Sequence, residues 1–154
     1  MDGPGTNKIQ RLISIFHEII GRQFDVTSYK NRLLIQKITY ILQIHDKSFG
    51  YTFNWFARGP YSPSLTRDEY SNGDIKNHVI SKEDEENINF VRDLVGEINE
   101  KNLELLASVY YLITERKIEN FNDLYFTLHS LKPWFEREEI LKTFEKINSK
   151  LIKN

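Results

Sequence analysis

The stretch NRLLIQKITYILQIH, residues 31–45, constrains the fold more than any other part of the chain. Leu34, Ile38, Ile41 and Leu42 recur at helical spacing, and Leu33, Ile35 and Ile44 widen the stripe past half the circumference. A helix with so little polar surface has to be covered from several sides. The spacing therefore predicts a central helix, opened by Ser28 as N-cap and enclosed by other elements.

Most of what surrounds it also reads as helix. Ile9, Leu12, Ile13, Phe16, Ile19 and Ile20 share one face, and Gly21 is the stop. Ser81 with Asp84 resembles a capping box, the acidic turn KEDEE suits a solvated helix start, and Ile88, Val91, Leu94, Val95 and Ile98 form the buried side. Residues 102–116 are another helix, and a short one follows Asn120 through Phe121, Leu124, Tyr125 and Leu128. The last helix is expected to start around Pro133 and to bury Ile140, Leu141, Phe144, Ile147 and Leu151. Strand periodicity appears in YTFNWFA, residues 51–57, where Tyr51, Phe53 and Trp55 alternate with Thr52 and Asn54. Residues 78–80, HVI, follow an SNGD turn and are its expected partner.

The expected fold is mainly α: a compact helical domain of about six or seven helices with a small two-stranded antiparallel β-ribbon. The C-terminal half, residues 81–154, is expected to be helix-turn-helix-like. Residues 1–6 are set aside as a disordered leader or vector remnant, leaving 7–154 as one domain.

Composition removes several function classes. The chain has no cysteine, which excludes disulfide scaffolds, thiolate metal sites and cysteine nucleophiles, and fits a cytoplasmic protein. No apolar run nears the roughly 20 residues that span a bilayer, and MDGPGTNK is no signal peptide. Residues 1–78 balance at +3 and residues 79–154 at −4, so a nucleic-acid surface would have to come from the N-terminal half.

The stretch WFARGPYSPSLTRD, residues 55–68, joins strand to helix. Gly59-Pro60 signals a turn; Pro63 holds Ser62 extended, so that Ser62 caps a short helix with Pro63 at its first position. Leu65 faces inward, while Arg67 and Asp68 lie on a more exposed side. Two readings stand side by side. In one this is a rigid corner in which Arg58 pairs with Asp68. In the other, Arg58 and the free amides of the short helix form an anion or peptide-terminus site.

RLLIQKITYILQ followed by FNWFARGPYSPSLTRD resembles two related groups: the Panacea domain of SocA-like antitoxins and the YwgA-like prokaryotic proteins. Leu33, Gln36, Lys37, Tyr40, Trp55, Gly59, Pro60, Tyr61, Ser62 and Leu65 carry the resemblance, with residues 7–80 as the Panacea-like half. LELLASVYYLI and LKPWFEREEI resemble the C-terminal part of the YwgA-like group. The resemblance implies a mostly helical domain and, on the Panacea side, a protein-interaction role in which a toxin is neutralised or adapted to a protease.

A search for chemistry leaves no catalytic residue, metal site or cofactor to propose. His17, His45, His78 and His129 are never three or four residues apart, no glycine-rich phosphate loop occurs, and HEIIG lacks the second histidine of a zincin. ERK, residues 115–117, matches half of a nuclease signature but falls at a helix end.

The expected function is therefore a non-enzymatic protein-interaction or regulatory module with another protein, a toxin or regulatory partner, as its ligand. Its binding surface would combine Gln36, Lys37 and Tyr40 with Trp55, Arg58, Gly59, Pro60, Tyr61, Ser62 and Arg67, the Lys37 ammonium reaching out past its stem. The alternative is a nucleic-acid-associated regulator with a winged-helix-like C-terminal half. The turn FEREEI, with Glu136, Glu138 and Glu139 against Arg137, opposes phosphate contact there, and Arg22, Lys30, Arg32 and Lys37 are the better basic set.

Overall fold

The computed structural model describes residues 4–72, 75 and 77–152. Along them run α1 (Pro4–Ile20), α2 (Tyr29–His45), β1 (Asn54–Phe56), β2 (Gly59–Tyr61), α3 (Pro63–Asn72), α4 (Lys82–Val95), α5 (Glu100–Glu115), α6 (Phe121–Leu131) and α7 (Arg137–Ile147). A 3-10 turn occupies Lys47–Phe49, and α7 runs on into a π-helical turn, Asn148–Ile152. The fold is mainly α with one two-stranded antiparallel sheet, as the periodicity predicts.

α2 is the interior helix. Ser28 caps it, its hydroxyl accepting from the Asn31 N–H at 3.1 Å. Every residue from Leu33 to Thr39 is buried, because α1, α4, α5 and β2 all pack against it. α5 is the second spine, buried from Leu103 through Val109 and lying along α2, with α6 and α7 packed on its other side and on each other. Among the described residues no helix is long and apolar enough to cross a membrane.

Four expectations need correction. Residues 4–6 are helical rather than disordered: Pro4 opens α1, a position where its missing N–H costs nothing. The partner of β1 is not residues 78–80, which form no strand, but residues 59–61. The turn between them is only Ala57-Arg58, so a local hairpin forms where a distant pairing was expected, and Gly59 allows it by adopting φ +94°. Residues 73 and 74 of the SNGD turn lie outside the described residues. Pro133 does not open the last helix. α7 starts at Arg137 behind a capping box in which the Glu136 and Glu139 side chains take each other's backbone N–H groups, and Pro133 sits in the preceding turn.

The KEDEE turn is solvated only in part. Ser81 caps α4 as expected, but Asp84 is buried, and its carboxylate accepts from Arg11 of α1 at 2.7 and 3.0 Å.

Glu69 of α3 is wholly enclosed, and neither carboxylate oxygen has a hydrogen-bond partner among the described residues. Burial pushes its carboxyl up to about 8, against the opposing pull of Arg32. The folded chain therefore holds a proton that the unfolded chain releases near 4.5, so stability falls as pH rises from about 4.5 to about 8. Glu69→Gln should remove that fall. In chemical denaturation the variant is expected to match wild type near pH 4.5 and to exceed it by at least about 1 kcal/mol at pH 9; equal stability at both pH values would refute the assignment.

Candidate functional site

The hairpin is held to α2 by the Gln36 and Lys37 side chains. With Phe56 and Gly59 closing a two-residue loop, alternation along β2 makes Trp55↔Pro60 the pair without ladder bonds. Proline is tolerated there because its absent N–H has no partner to miss. The same alternation turns the backbone of Pro60 and Ser62 away from β1 and toward α2. There the Gln36 amide accepts from the Ser62 N–H at 2.8 Å and donates to the Ser62 carbonyl at 2.9 Å. Lys37 Nζ donates to the Pro60 carbonyl at 2.7 Å. Two helix side chains thus satisfy a strand edge that a third strand would otherwise occupy.

Gln36 and Lys37 are consequently interior groups, 0% and 4% exposed, rather than parts of an outward surface. The Lys37 ammonium does not reach past its stem; it turns inward beneath the hairpin. Gly59, Pro60 and Ser62 are buried with them. Gly59 is required on two counts: its φ is positive, and a Cβ there would lie 3.0 Å from Ser108 Oγ and 3.6 Å from Lys37 Nζ. Tyr61 is half-buried, its hydroxyl 2.6 Å from Thr66 Oγ1. Tyr40 is half-buried among Phe53, Tyr110 and Tyr111, away from the solvent role expected of it.

Ser62 does open α3, with Pro63 as its first residue and Leu65 fully buried. Arg58 does not pair with Asp68. It stands at the hairpin tip with its side chain 45% exposed, 3.6 Å from Glu100 at the start of α5. The Tyr51 hydroxyl donates to Asp68 instead. Arg67 is exposed, and no bond among the described residues ties it to the hairpin.

Two neighbours of the hairpin escape the sequence reading. Glu104 of α5 and Lys132, just after α6, form an ion pair of 2.7 Å with side chains 9% and 1% exposed. The Lys132 ammonium also donates to the Ala57 carbonyl at 3.3 Å, 5.5 Å from the Trp55 ring centroid and 5.3 Å from that of Trp134. It fastens the hairpin tip to the turn between α6 and α7. The available signal was a lone carboxylate inside the apolar run LELLASV. The segments that Lys132 joins carry exposed apolar side chains: Phe56 on the hairpin, 44% exposed, and Leu131 and Trp134 on either side of Lys132, 46% and 51% exposed.

Burial lowers the Lys37 amine to about 7; Glu104 opposes the shift, and Lys132 and Arg58 add to it. An amine neutral near physiological pH could act as a base or nucleophile. This one is enclosed, and its Nζ is engaged by the Pro60 carbonyl, so its place is structural. Among the described residues no cluster of three or more His, Cys, Asp or Glu side chains could hold a metal ion. The nearest approach between histidines is the stacked pair His17 and His78, 4.2 Å between ring centroids.

Removing the Gln36 amide leaves the buried N–H and carbonyl of Ser62 short of partners. Gln36→Ala should cost about 2–4 kcal/mol in denaturant unfolding, and Gln36→Met, which fills the space but neither donates nor accepts there, should fail to restore it. For Lys37 the unfolded chain binds the extra proton between about 7 and 10.5, so stability rises with pH across that window. Lys37→Met should flatten the rise; an unchanged pH profile would show that the amine keeps its ordinary basicity. Compared with models of known protein families the chain matches none, and no curated protein matches it either.

Proposed function

We propose that this chain is a cytoplasmic, non-enzymatic protein-interaction module, antitoxin-like or regulatory in the sense that its resemblance to the Panacea and YwgA-like groups implies. Its partner docks on the hairpin tip and the turn after α6. The observation that carries this reading is the exposure of Phe56 and Arg58 on the hairpin and of Leu131 and Trp134 on either side of Lys132, the residue that ties the two segments together. Exposed rings and an exposed arginine on linked segments have the composition of binding hot spots, where the rings supply contact area and the guanidinium supplies direction. The surface is also preset: Gln36 and Lys37 hold the hairpin from beneath, and the Glu104–Lys132 pair holds its tip. A preset surface loses little conformational freedom on binding, which favours affinity.

A wing-bearing DNA reader is less well supported. The described residues from 81 onward contain no strand, and the first turn of α7 presents Glu136 and Glu138 to solvent.

Affinity capture from the source organism should retain a specific protein on the wild-type chain. Arg58→Ala and Trp134→Ala should each weaken that capture at least about tenfold, the usual scale of a hot spot, without lowering the melting temperature. If instead Arg58→Ala lowers the melting temperature while capture persists, the hairpin tip is only a rigid corner.

A further inference from the structure

A second face, involving none of the residues of that surface, joins the start of α2 to the end of α3. Tyr29 and Tyr70 stand 58% and 59% exposed on the two helices. Between them lies Arg32, its guanidinium carbon 5.7 Å from the Tyr29 ring centroid and 5.9 Å from that of Tyr70. Arg32 is fixed by donating to the Val26 carbonyl at 2.6 Å. Arg67 lies one helical turn before Tyr70, Lys30 adjoins Tyr29, and Arg22 reaches the same place by donating to Asn31 Oδ1 at 3.0 Å.

The charge here is not cancelled locally. Arg11, Arg58 and Arg92 each pair with a carboxylate, whereas among the described residues Arg22, Lys30, Arg32 and Arg67 do not. The carboxylates on the same elements make no ion pair with these cations among the described residues, which leaves four cations beside Asp25 and Asp68. Asp25 accepts from the Thr27 N–H and hydroxyl, Asp68 accepts from the Tyr51 hydroxyl, and Glu69 is enclosed below the surface. Burial favours the neutral form of Glu69, so it offsets little of the Arg32 charge.

We propose that this face binds a single strand of nucleic acid, with the Tyr29 and Tyr70 rings as stacking platforms for two bases and Arg22, Lys30, Arg32 and Arg67 along the phosphates. An acidic peptide would need the cations but has no use for two exposed rings flanking a guanidinium. Bases do, because every base has a π-face to stack and the guanidinium adds a cation–π contact. The contact is sequence-tolerant, since nothing on this face is arranged to read base edges.

The test is fluorescence anisotropy with labelled 12-nucleotide oligo-dT and oligo-U at increasing salt. Micromolar binding near 50 mM salt is expected, with a log–log slope of about −3 if all four cations neutralise phosphates, at roughly −0.7 each. Arg32→Gln should flatten the slope by about 0.7. Tyr29→Leu with Tyr70→Leu should weaken binding about tenfold or more at unchanged slope, and Lys142→Ala on α7 should change nothing. Circular dichroism confirms that each variant is folded. The proposal is overturned by no binding at low salt, by unaltered affinity in the folded tyrosine variant, or by a duplex of equal length binding as tightly as the strand. Equal competition by an oligoglutamate of the same charge overturns it too, and would make this an acidic-peptide face.

Discussion

The two hydrogen bonds between the Gln36 amide and the backbone of Ser62 are the contact on which the rest of the molecule is arranged. A primary amide presents an N–H donor and a C=O acceptor side by side in one plane, as a peptide group does, and its second N–H goes here to Thr66 Oγ1 at 3.0 Å. Pointed at an open strand edge, it stands in for the missing neighbour. Lys37 completes the substitution with a single donor, and a single donor suffices because Pro60 offers only a carbonyl. This accounts for the joint presence of Gln-Lys on one element and Gly-Pro-Tyr-Ser on another. Each pair would leave unsatisfied buried groups without the other, a cost of about 1–3 kcal/mol per group.

From that contact the hairpin position follows, and from the hairpin the placement of charge. Three cationic groups, Lys37, Lys132 and Arg58, gather around Glu104 and Glu100. The enclosed carboxylate goes to Lys132, at 2.7 Å, and the exposed one to Arg58 at the rim. Lys37 is left with a carbonyl, and burial without a counter-ion costs a charged amine far more than a neutral one. Its lowered basicity is the consequence of being third in a site with one enclosed carboxylate. A neutral amine still donates a hydrogen bond, so the hairpin remains fastened whichever state Lys37 adopts.

Much of the helical framework was legible, because its signals are local. Ser28, Ser81 and Asn120 cap the helices they precede, Pro63 opens α3, and the apolar stripe of residues 31–45 marks the interior helix. What escaped depends on partners distant in sequence. Gly59-Pro60 read as a turn because proline rarely sits within a ladder, and only its pairing with Trp55 shows that the absent N–H costs nothing. Lys37 read as a reaching side chain because its acceptor is 23 residues away. Lys132 carried no signal of its own, since Glu104 lies 28 residues behind it. Pro133 misled for a different reason: proline favours a first helical turn, but the reciprocal cap of Glu136 and Glu139 fixes the start of α7 four residues later.

The residues of the Gln-Lys and Gly-Pro-Tyr-Ser stretches are therefore mostly not the ones that meet solvent. Gln36, Lys37, Gly59, Pro60 and Ser62 are enclosed, and their contacts are those of architecture. A pattern of this kind describes how a hairpin is attached to a helix, and different surfaces can be mounted on the same attachment. The side chains that the attachment leaves outside include Phe56, Arg58 and Trp134 near the hairpin and its fastening, and Tyr29 and Tyr70 on either side of Arg32. None of these six takes part in the hydrogen bonds between Gln36, Lys37 and the hairpin backbone, so they can change while that staple stays as it is.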